Sequence, residues 1–422
     1  MTRRWHPVAA VAAAALLAAG CGSASSPRPQ HPAAARLLRG VVAAEPAVSP
    51  DAYGTADTRF GLAVLQALCR QSPAANLVLS PASLASGLGM AYLGARGSTA
   101  QAMAAVLHLP ATGPALEAGL QARAAALRRL DRPRVVAAAA DQVWADPSLT
   151  PSAGYLDAVA TAYDGAGLRQ VPLLGDPALA ARQIDAAIAA ATAGHITGLL
   201  TAGSLQGVGW VLTDALYLKA RWASPFDSAQ TYTGAFTTVG GGRVQARYLS
   251  GGVFPSASAA GWTAVSLPYQ GGRLALIALL PGSGPAACPD LSDTALNALS
   301  ARLAAGRGEA GIALPKVSLS SSASMMPLLR RLGMGVAFGG SADFTGLSPS
   351  AGRIGLVVHA ATLRVNEQGT VASAATAVGV LPGAVAPARR TIVFDRPYLL
   401  LVTDIATGEP LFLARVADPA SR

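Results

Sequence analysis

The sequence predicts an α+β fold with mainly antiparallel sheets. The first half of the chain carries apolar residues at helical spacing, whereas the second half carries short apolar or alternating runs that are mostly bounded by Gly or Pro. With 422 residues, of which 52% are hydrophobic and 13% charged, the chain is too apolar to be disordered. It is long enough for one large domain or two ordinary ones.

The first 21 residues have the features of an export signal. The segment MTRR precedes an apolar run from Val8 to Ala19, which is too short to span a bilayer. The sequence LAAGC that ends at Cys21 resembles a bacterial lipoprotein cleavage box, so Cys21 is the predicted lipidation site. The alternative is a simple secretory signal with a coincidental cysteine. We expect an exported protein that is lipid-anchored to the outer face of the bacterial membrane or secreted.

Residues 22–50 are rich in Ser, Pro and Ala, which predicts a flexible tether before a domain that starts near Asp51. If Cys21 carries lipid, Cys69 and Cys288 remain, and they could pair or stay buried as small hydrophobic residues. The formal charge of +10 is carried almost wholly by arginine, since Lys219 and Lys316 are the only lysines. This bias is typical of GC-rich coding, so the charge does not predict a nucleic-acid partner.

Helical periodicity dominates the chain from residue 60 to residue 191. The predicted helical segments are Phe60–Leu68, Ser83–Leu93, Thr99–Leu107, Ala115–Leu130, Tyr155–Tyr163 and Leu179–Ala191. Strand-like runs follow. They are Val211–Lys219, Val265–Pro268, Leu274–Leu280, Gly311–Leu319 and Ile392–Leu401.

Signatures of catalysis and of metal binding do not occur in the sequence. It contains no G-x-S-x-G, S-x-x-K, H-E-x-x-H or C-x-x-C motif, and its five histidines are widely scattered. A Ser/His/Asp triad assembled in space stays open as an alternative, because triads are recognised by geometry and not by spacing. We expect no enzyme, no cofactor and no metal.

The stretch VNEQGTVASAAT, from Val365 to Thr376, is typical of a strand that can move. Gly369 is a plausible hinge because glycine changes the sign of φ without steric cost. The residues after it are small or β-branched and uncharged, so they could enter a sheet. The side chains predicted to face the interior are Thr370, Ala372, Ala374 and Thr376. The alternative is an Ala-rich helical turn or a plain loop.

Several stretches, in the same order along the chain, resemble the serpin family. They include NLVLSPASLASGLGMAYLGARGSTAQAMAAVLHL, VLTDALYLKARWASPF, VSLPYQGGRLALIALLP, VNEQGT and FDRPYLLLVTDIATGEPLFLARVADP. The resemblance implies a single monomeric domain over residues 51–422, with three β-sheets and about nine helices. It also implies an exposed reactive-centre loop at about residues 367–391.

The resemblance assigns roles to two clusters of residues. At the top of the sheet, in the region called the breach, Glu367 begins the hinge, with Lys316 as its salt-bridge partner and Trp222 packed nearby. In mid-sheet, the region called the shutter comprises Ser80, Pro81, Ser83, Asp214 and His359. Asp214 stands where the family usually has asparagine. We therefore expect a charged pair in which His359 is protonated and Asp214 ionised.

The implied function is inhibition of serine-type endopeptidases, through a covalent acyl complex that forms when the cleaved loop inserts into the sheet. Loop length places the scissile bond between Gly383 and Ala384, and the small or apolar residues around it suit an elastase-like or subtilisin-like protease. Thr370 is expected to be exposed before cleavage. The alternative function is a non-inhibitory serpin-fold binding or envelope protein.

A basic segment suggests one further partner. Its arginines are Arg123, Arg128, Arg129, Arg132 and Arg134. In some serpins the helix at this place binds sulfated polysaccharides, which makes a polyanion a candidate partner. A solvated basic face is the alternative.

Overall fold

Eight α-helices packed with β-sheets make up the part of the chain that the computed structural model describes, which is residues 35–131, 135–282, 284, 288, 290–370 and 390–421. The helices are α1 (Asp51–Gln71), α2 (Pro81–Gly94), α3 (Gly97–Leu107), α4 (Pro114–Arg128), α5 (Ala153–Ala162), α6 (Pro177–Ala191), α7 (Asp293–Ala304) and α8 (Met326–Leu329). Helices α1 to α6 cover the six segments with helical periodicity. Helices α7 and α8 were not predicted.

Seventeen strands complete the described chain. They are β1 (Arg36–Arg39), β2 (Leu77–Leu79), β3 (Val135–Ala139), β4 (Gln142–Ala145), β5 (Gly167–Gln170), β6 (Trp210–Arg221), β7 (Tyr232–Thr237), β8 (Arg243–Ala259), β9 (Trp262–Pro268), β10 (Leu274–Pro281), β11 (Glu309–Pro315), β12 (Val317–Ser324), β13 (Leu356–Asn366), β14 (Gly369–Thr370), β15 (Thr391–Val393), β16 (Tyr398–Asp404) and β17 (Pro410–Val416). The fold class is therefore α+β, as predicted.

The main sheet has the order β1-β5-β4-β6-β14-β13-β12, with β3 also paired to β6. The other strands follow the order β15-β11-β8-β9-β10-β16-β17-β2, with β7 paired to β8. The long strand β8 pairs with β7 and β11 through its first part and with β9 through its last part, so it passes from one sheet into the next. A large apolar cluster fills the space between the inner face of the main sheet and these strands, and it includes Leu218, Leu363, Phe236 and Leu276.

The N-terminal part of the domain differs from the predicted tether. Strand β1 pairs antiparallel with β5 at the edge of the main sheet. After it, the backbone N–H of Val41 donates to Asp157 Oδ1 at 2.7 Å, and that of Ala43 donates to Thr161 Oγ1 at 2.9 Å. The tether prediction is wrong for these residues, because the edge strand β5 offers free backbone groups that composition does not reveal. Residues 1–34, with Cys21, lie outside the described residues.

Cys69 on α1 and Cys288 form a disulfide, which decides between the two alternatives left by the sequence. Among the described residues, none of the helices has the length and apolar character needed to cross a membrane.

Candidate functional site

The centre of the main sheet contains a fork between β6 and β13. In its lower part these two strands pair directly and in parallel, with Val211–Leu216 against Leu356–Ala361. In its upper part β14 lies between them, antiparallel to both. We call the directly paired part the seam. A further strand could enter the main sheet by separating the seam.

The predicted mid-sheet residues lie together at the seam. His359 and Asp214 are direct cross-strand partners, and their side chains are in contact through Nδ1 and Oδ1. The backbone N–H of Ser80 donates to Nε2 of His359 at 3.0 Å. Because Nε2 accepts this bond, the imidazole is neutral and carries its proton on Nδ1, from which it donates to Asp214. This geometry contradicts the expected pair with a protonated His359.

Ser80 also positions the start of α2. Its Oγ accepts a hydrogen bond from the backbone N–H of Ser83 at 3.1 Å, which caps the helix, and Pro81 occupies the first helical position. The ring of Pro81 fits against Gly61 on α1, where a Cβ would lie 2.5 Å from the ring. The N-terminus of α2 is thereby fixed beneath the seam.

Asp141 is a functional candidate that the sequence reasoning missed. The hydroxyl of Ser83 donates to Asp141 Oδ1 at 2.5 Å. Burial, reinforced by the nearby charge of Asp214, raises the pKa of Asp141 to about 8, although hydrogen bonds from Ser83 and Ser86 oppose the shift. One signal was present in the sequence: Asp141 is a lone acidic residue in the apolar run AAAADQVWA.

The predicted ion pair lies at the top of the fork. Nζ of Lys316 is 2.7 Å from Oε1 of Glu367, and the hydroxyl of Thr231 donates to the same oxygen at 3.0 Å. Burial by itself would raise the pKa of Glu367, but the bonds from Lys316 and Thr231 outweigh it and lower the pKa. Glu367 is thus ionised and held at the end of β13.

Trp222 fixes the chain where it turns from β13 into β14. Its Nε1–H donates to the carbonyl of Asn366 at 2.8 Å, and its backbone N–H donates to the carbonyl of Gln368 at 3.0 Å. Its ring stacks on Tyr269 with the centroids 4.6 Å apart. Tyr269 and Asn366 belong to this cluster although the sequence did not single them out.

Thr370 is buried in the intact chain, contrary to the expectation that it is exposed before cleavage. It pairs with Ala220 and Val365, has no exposed surface and shares a hydrogen bond with the hydroxyl of Tyr269. Gly369 allows this geometry, because its φ of +149° suits glycine and a Cβ there would lie 2.1 Å from the carbonyl oxygen of Ala220. Gly369 and Thr370 of the predicted mobile strand are therefore already part of the sheet.

Other predicted site residues lie outside the described residues. They are Ala372, Ala374, Thr376, Gly383 and Ala384.

Arg128 and Arg129, the exposed arginines of the predicted basic segment that the structure describes, lie at the end of α4. Arg123 is buried, where it pairs with Asp57 and Glu409 and donates to the carbonyl of Ala82. Arg128 is exposed but pairs with Asp164 at 3.1 Å. Arg132 and Arg134 are outside the described part of the chain. Within that part, no group of three or more His, Cys, Asp or Glu residues could hold a metal ion.

A family model described as serpin (serine protease inhibitor) matches residues 55–419. The chain belongs to the serpin family. An uncharacterized serpin-like protein of Thermococcus kodakarensis is 30% identical to it over 357 residues, which cover 82% of this chain and 81% of that protein. The leukocyte elastase inhibitor of Bos taurus is 28% identical over 386 residues, with 86% and 98% covered.

The serpin fold is also found by structural comparison. The crystal structure of the thermophilic serpin tengpin in its native state matches with a TM-score of 0.76, covering 91% of this chain and 100% of that one at 21% identity. This chain and that serpin therefore share the same fold.

Proposed function

We propose that this serpin inhibits serine-type endopeptidases as a suicide substrate. A target protease cleaves the loop of residues 367–391, and the released strand enters the main sheet between β6 and β13 before the acyl-enzyme is hydrolysed. The observation that carries the proposal is β14, because Gly369 and Thr370 already pair with both of these strands. Insertion extends an existing strand and does not have to start a new one.

The register of β14 supports continued insertion. Thr370 lies opposite Ala220 on β6 and Val365 on β13. These two residues differ in residue number by the same amount as the residues that pair directly between β6 and β13 in the seam. In this register each further loop residue moves one position down the fork. Ala372 reaches Leu218 and Leu363, Ala374 reaches Leu216 and Ala361, and Thr376 reaches Asp214 and His359. Small side chains thus meet a buried inner face.

Thr376 fits its position at the mid-sheet cluster for a chemical reason. Insertion separates the imidazole of His359 from the carboxylate of Asp214, and Oδ2 of Asp214 has no hydrogen-bond partner among the described residues. A threonine hydroxyl can donate to one group and accept from the other. The inserted strand therefore replaces the contact that it breaks.

The trap is kinetic in this mechanism. A catalytic serine that is dragged from its oxyanion donors loses about 3–4 kcal/mol of transition-state stabilisation for each donor. The proposed scissile bond, between Gly383 and Ala384, has only small or apolar neighbours, so we assign elastase-like or subtilisin-like targets. The bovine relative is named a leukocyte elastase inhibitor, which supports the same class of target.

The test is incubation with elastase-like and subtilisin-like proteases. We expect a covalent complex that survives boiling in detergent, and a released peptide that begins at Ala384. The thermal midpoint of the cleaved protein should rise, because the inserted strand adds backbone hydrogen bonds on both sides. Cleavage without a complex and without this rise would favour the non-inhibitory binding or envelope protein.

We further propose that the mature chain starts at a lipidated Cys21 and is attached to the outer face of a bacterial membrane. Two acyl chains on one residue suffice for stable anchoring. The supporting feature is the cleavage-box sequence LAAGC. The Cys21→Ser variant should move from the detergent phase to the aqueous phase, and unchanged partitioning would contradict lipidation.

A further inference from the structure

Three side-chain contacts connect the parts of the molecule that must shift when the seam opens. Asp214 on β6 contacts His359 on β13, and His359 accepts from Ser80 at the start of α2. Ser83 on α2 donates to Asp141, which directly precedes β4. Together these contacts join β6, β13 and α2 in a closed ring.

Asp141 moves with β6 and not with β13. The next residue, Gln142, pairs with Thr213, which adjoins Asp214 on β6. A strand that enters between β6 and β13 displaces β6 and the strands bonded to it. Asp141 then has to shift against Ser83 of α2 while Asp214 leaves His359.

The ring contains two buried carboxyl groups and no cation of its own. The titratable and charged groups that act on Asp141 are Asp214 on β6, Arg123 on α4 and Tyr163 after α5, and His359 on β13 contacts Asp214. Arg123 is already balanced by Asp57 on α1 and by Glu409. A second negative charge beside Asp214 is therefore unfavourable while the seam is closed.

We propose that the proton on Asp141 controls how readily the seam opens: protonated Asp141 favours the closed sheet, and its loss promotes opening. This regulation rests on the proposed function, since the seam is where the loop enters. Burial raises the pKa of Asp141 to about 8 in the closed sheet, and a shift against α2 that admits water would return the pKa towards its ordinary value. Opening then releases a proton, so a rise in pH favours it.

Hydrogen exchange of the intact protein measures the opening without any protease. The probes are the seam amides of Val211–Leu216 and Leu356–Ala361, with Leu274–Leu279 in β10 as a reference that insertion leaves paired. Protection factors, corrected for intrinsic exchange, are recorded from pH 7 to 9, above the ordinary pKa of histidine of about 6.5. We expect seam protection to fall about fivefold between pH 7 and 8, where one released proton allows at most about a tenfold fall, and to level off above that, with a fall of less than about twofold between pH 8 and 9.

The Asp141→Asn variant should keep the seam protection constant over this range. Glu117→Gln is the matched control, because the pKa of Glu117 on α4 is also raised by burial but the residue lies away from the seam. It should behave like the wild type. A pH-dependent fall that persists in Asp141→Asn, or an equal fall in the β10 reference, would overturn the proposal.

Asp214→Asn provides a second variant should Asp141→Asn fail to fold. It removes the neighbouring charge that raises the pKa of Asp141, so the levelling point should shift to lower pH; an unchanged levelling point would also overturn the proposal. Loss of inhibition and a missing pH effect are separate results. A serpin that forms no protease complex but shows the pH-dependent seam would refute the proposed function and not the role of Asp141.

Discussion

Lys316 and Glu367 form an ion pair of 2.7 Å at the single point where β13 turns towards the loop. Since Glu367 has a lowered pKa when folded, its contribution to stability is present above the unfolded pKa of about 4.3 and is lost as the pH falls through the lower folded value. The Lys316→Met variant should cost about 1 kcal/mol at pH 7, because Lys316 is partly exposed, and almost nothing at pH 3. Urea unfolding at both pH values measures the difference.

Arg59→Met is the matched control for this prediction. Arg59 pairs with Asp293 at the same 2.7 Å, but its side chain is 51% exposed, so its removal should change the free energy of unfolding by less than about 0.5 kcal/mol. If both variants lose the same free energy of unfolding at pH 7, burial at the fork does not strengthen the ion pair between Lys316 and Glu367.

At the residue scale, the family motifs located side chains that lie within a motif, even where they meet from distant parts of the chain, as Ser80 and His359 do. They did not locate side chains that lie outside the motifs. Lys316, Glu367, Ser80 and His359 were placed by the order of the matching stretches. Asp141 was not, because its environment comes from α2 and β6, which are distant in sequence. Arg123 was wrongly assigned to the surface for the same reason, since its partners Asp57 and Glu409 are 66 and 286 residues away.

At the scale of elements, the fork predicts a sharp difference between neighbouring loop positions. In the register of β14, Ala372 enters beside Leu218 and Leu363, which are buried, whereas Val371 enters beside the exposed Lys219 and Arg364. Ala372→Glu should bury an unpaired carboxylate at a cost of several kcal/mol, so the variant is cleaved as a substrate and releases active protease. The ratio of cleaved inhibitor to stable complex measures this.

Val371→Glu is the control, since its carboxylate would meet two cations on the outer face and the inhibitor should still form complexes. Both substitutions lie beyond Thr370 and should leave the unfolding of the uncleaved protein unchanged. Similar ratios of cleaved inhibitor to complex in the two variants would contradict the alternation that the register of β14 predicts.

The strand β1 allows a second prediction at this scale. Gly40 directly follows β1 in sequence and lies close to the backbone of α5. A Cβ at Gly40 would lie 2.2 Å from the backbone nitrogen of Asp157. Gly40→Val should therefore displace this segment and break the bond from Val41 to Asp157. We expect faster hydrogen exchange in β5, its partner strand. Gly175→Val, which meets no atom within 4 Å, should leave exchange in β5 unaltered, and equal effects would argue against the β1 pairing.

At the scale of the whole molecule, the disulfide between Cys69 and Cys288 joins residues 219 positions apart. It restricts the unfolded chain, so the double variant Cys69→Ser, Cys288→Ser should lose about 2–4 kcal/mol of unfolding free energy. Thermal unfolding with and without a reductant measures this. The reductant should lower the thermal midpoint of the wild type to that of the variant. If neither the double substitution nor the reductant lowers the midpoint, the disulfide does not stabilise the fold.

The sequence by itself determined the α+β class, helices α1 to α6, the family and the residues at the top of the fork. These features depend on the spacing of apolar side chains within single elements and on motifs that each occupy one stretch of chain. Even there, Gly311–Leu319 and Ile392–Leu401 were each taken as one strand. Each is two strands in the structure, because a turn between strands can leave apolar spacing intact.

Only the tertiary structure decided that Thr370 is already inserted, that Arg36–Arg39 is an edge strand, that Cys69 and Cys288 pair, and that Asp141 is buried beside Asp214. In each case the deciding partner lies far along the chain. The physical reason is that burial, strand pairing and pKa depend on which distant groups exclude water from a residue, and local sequence does not specify those groups.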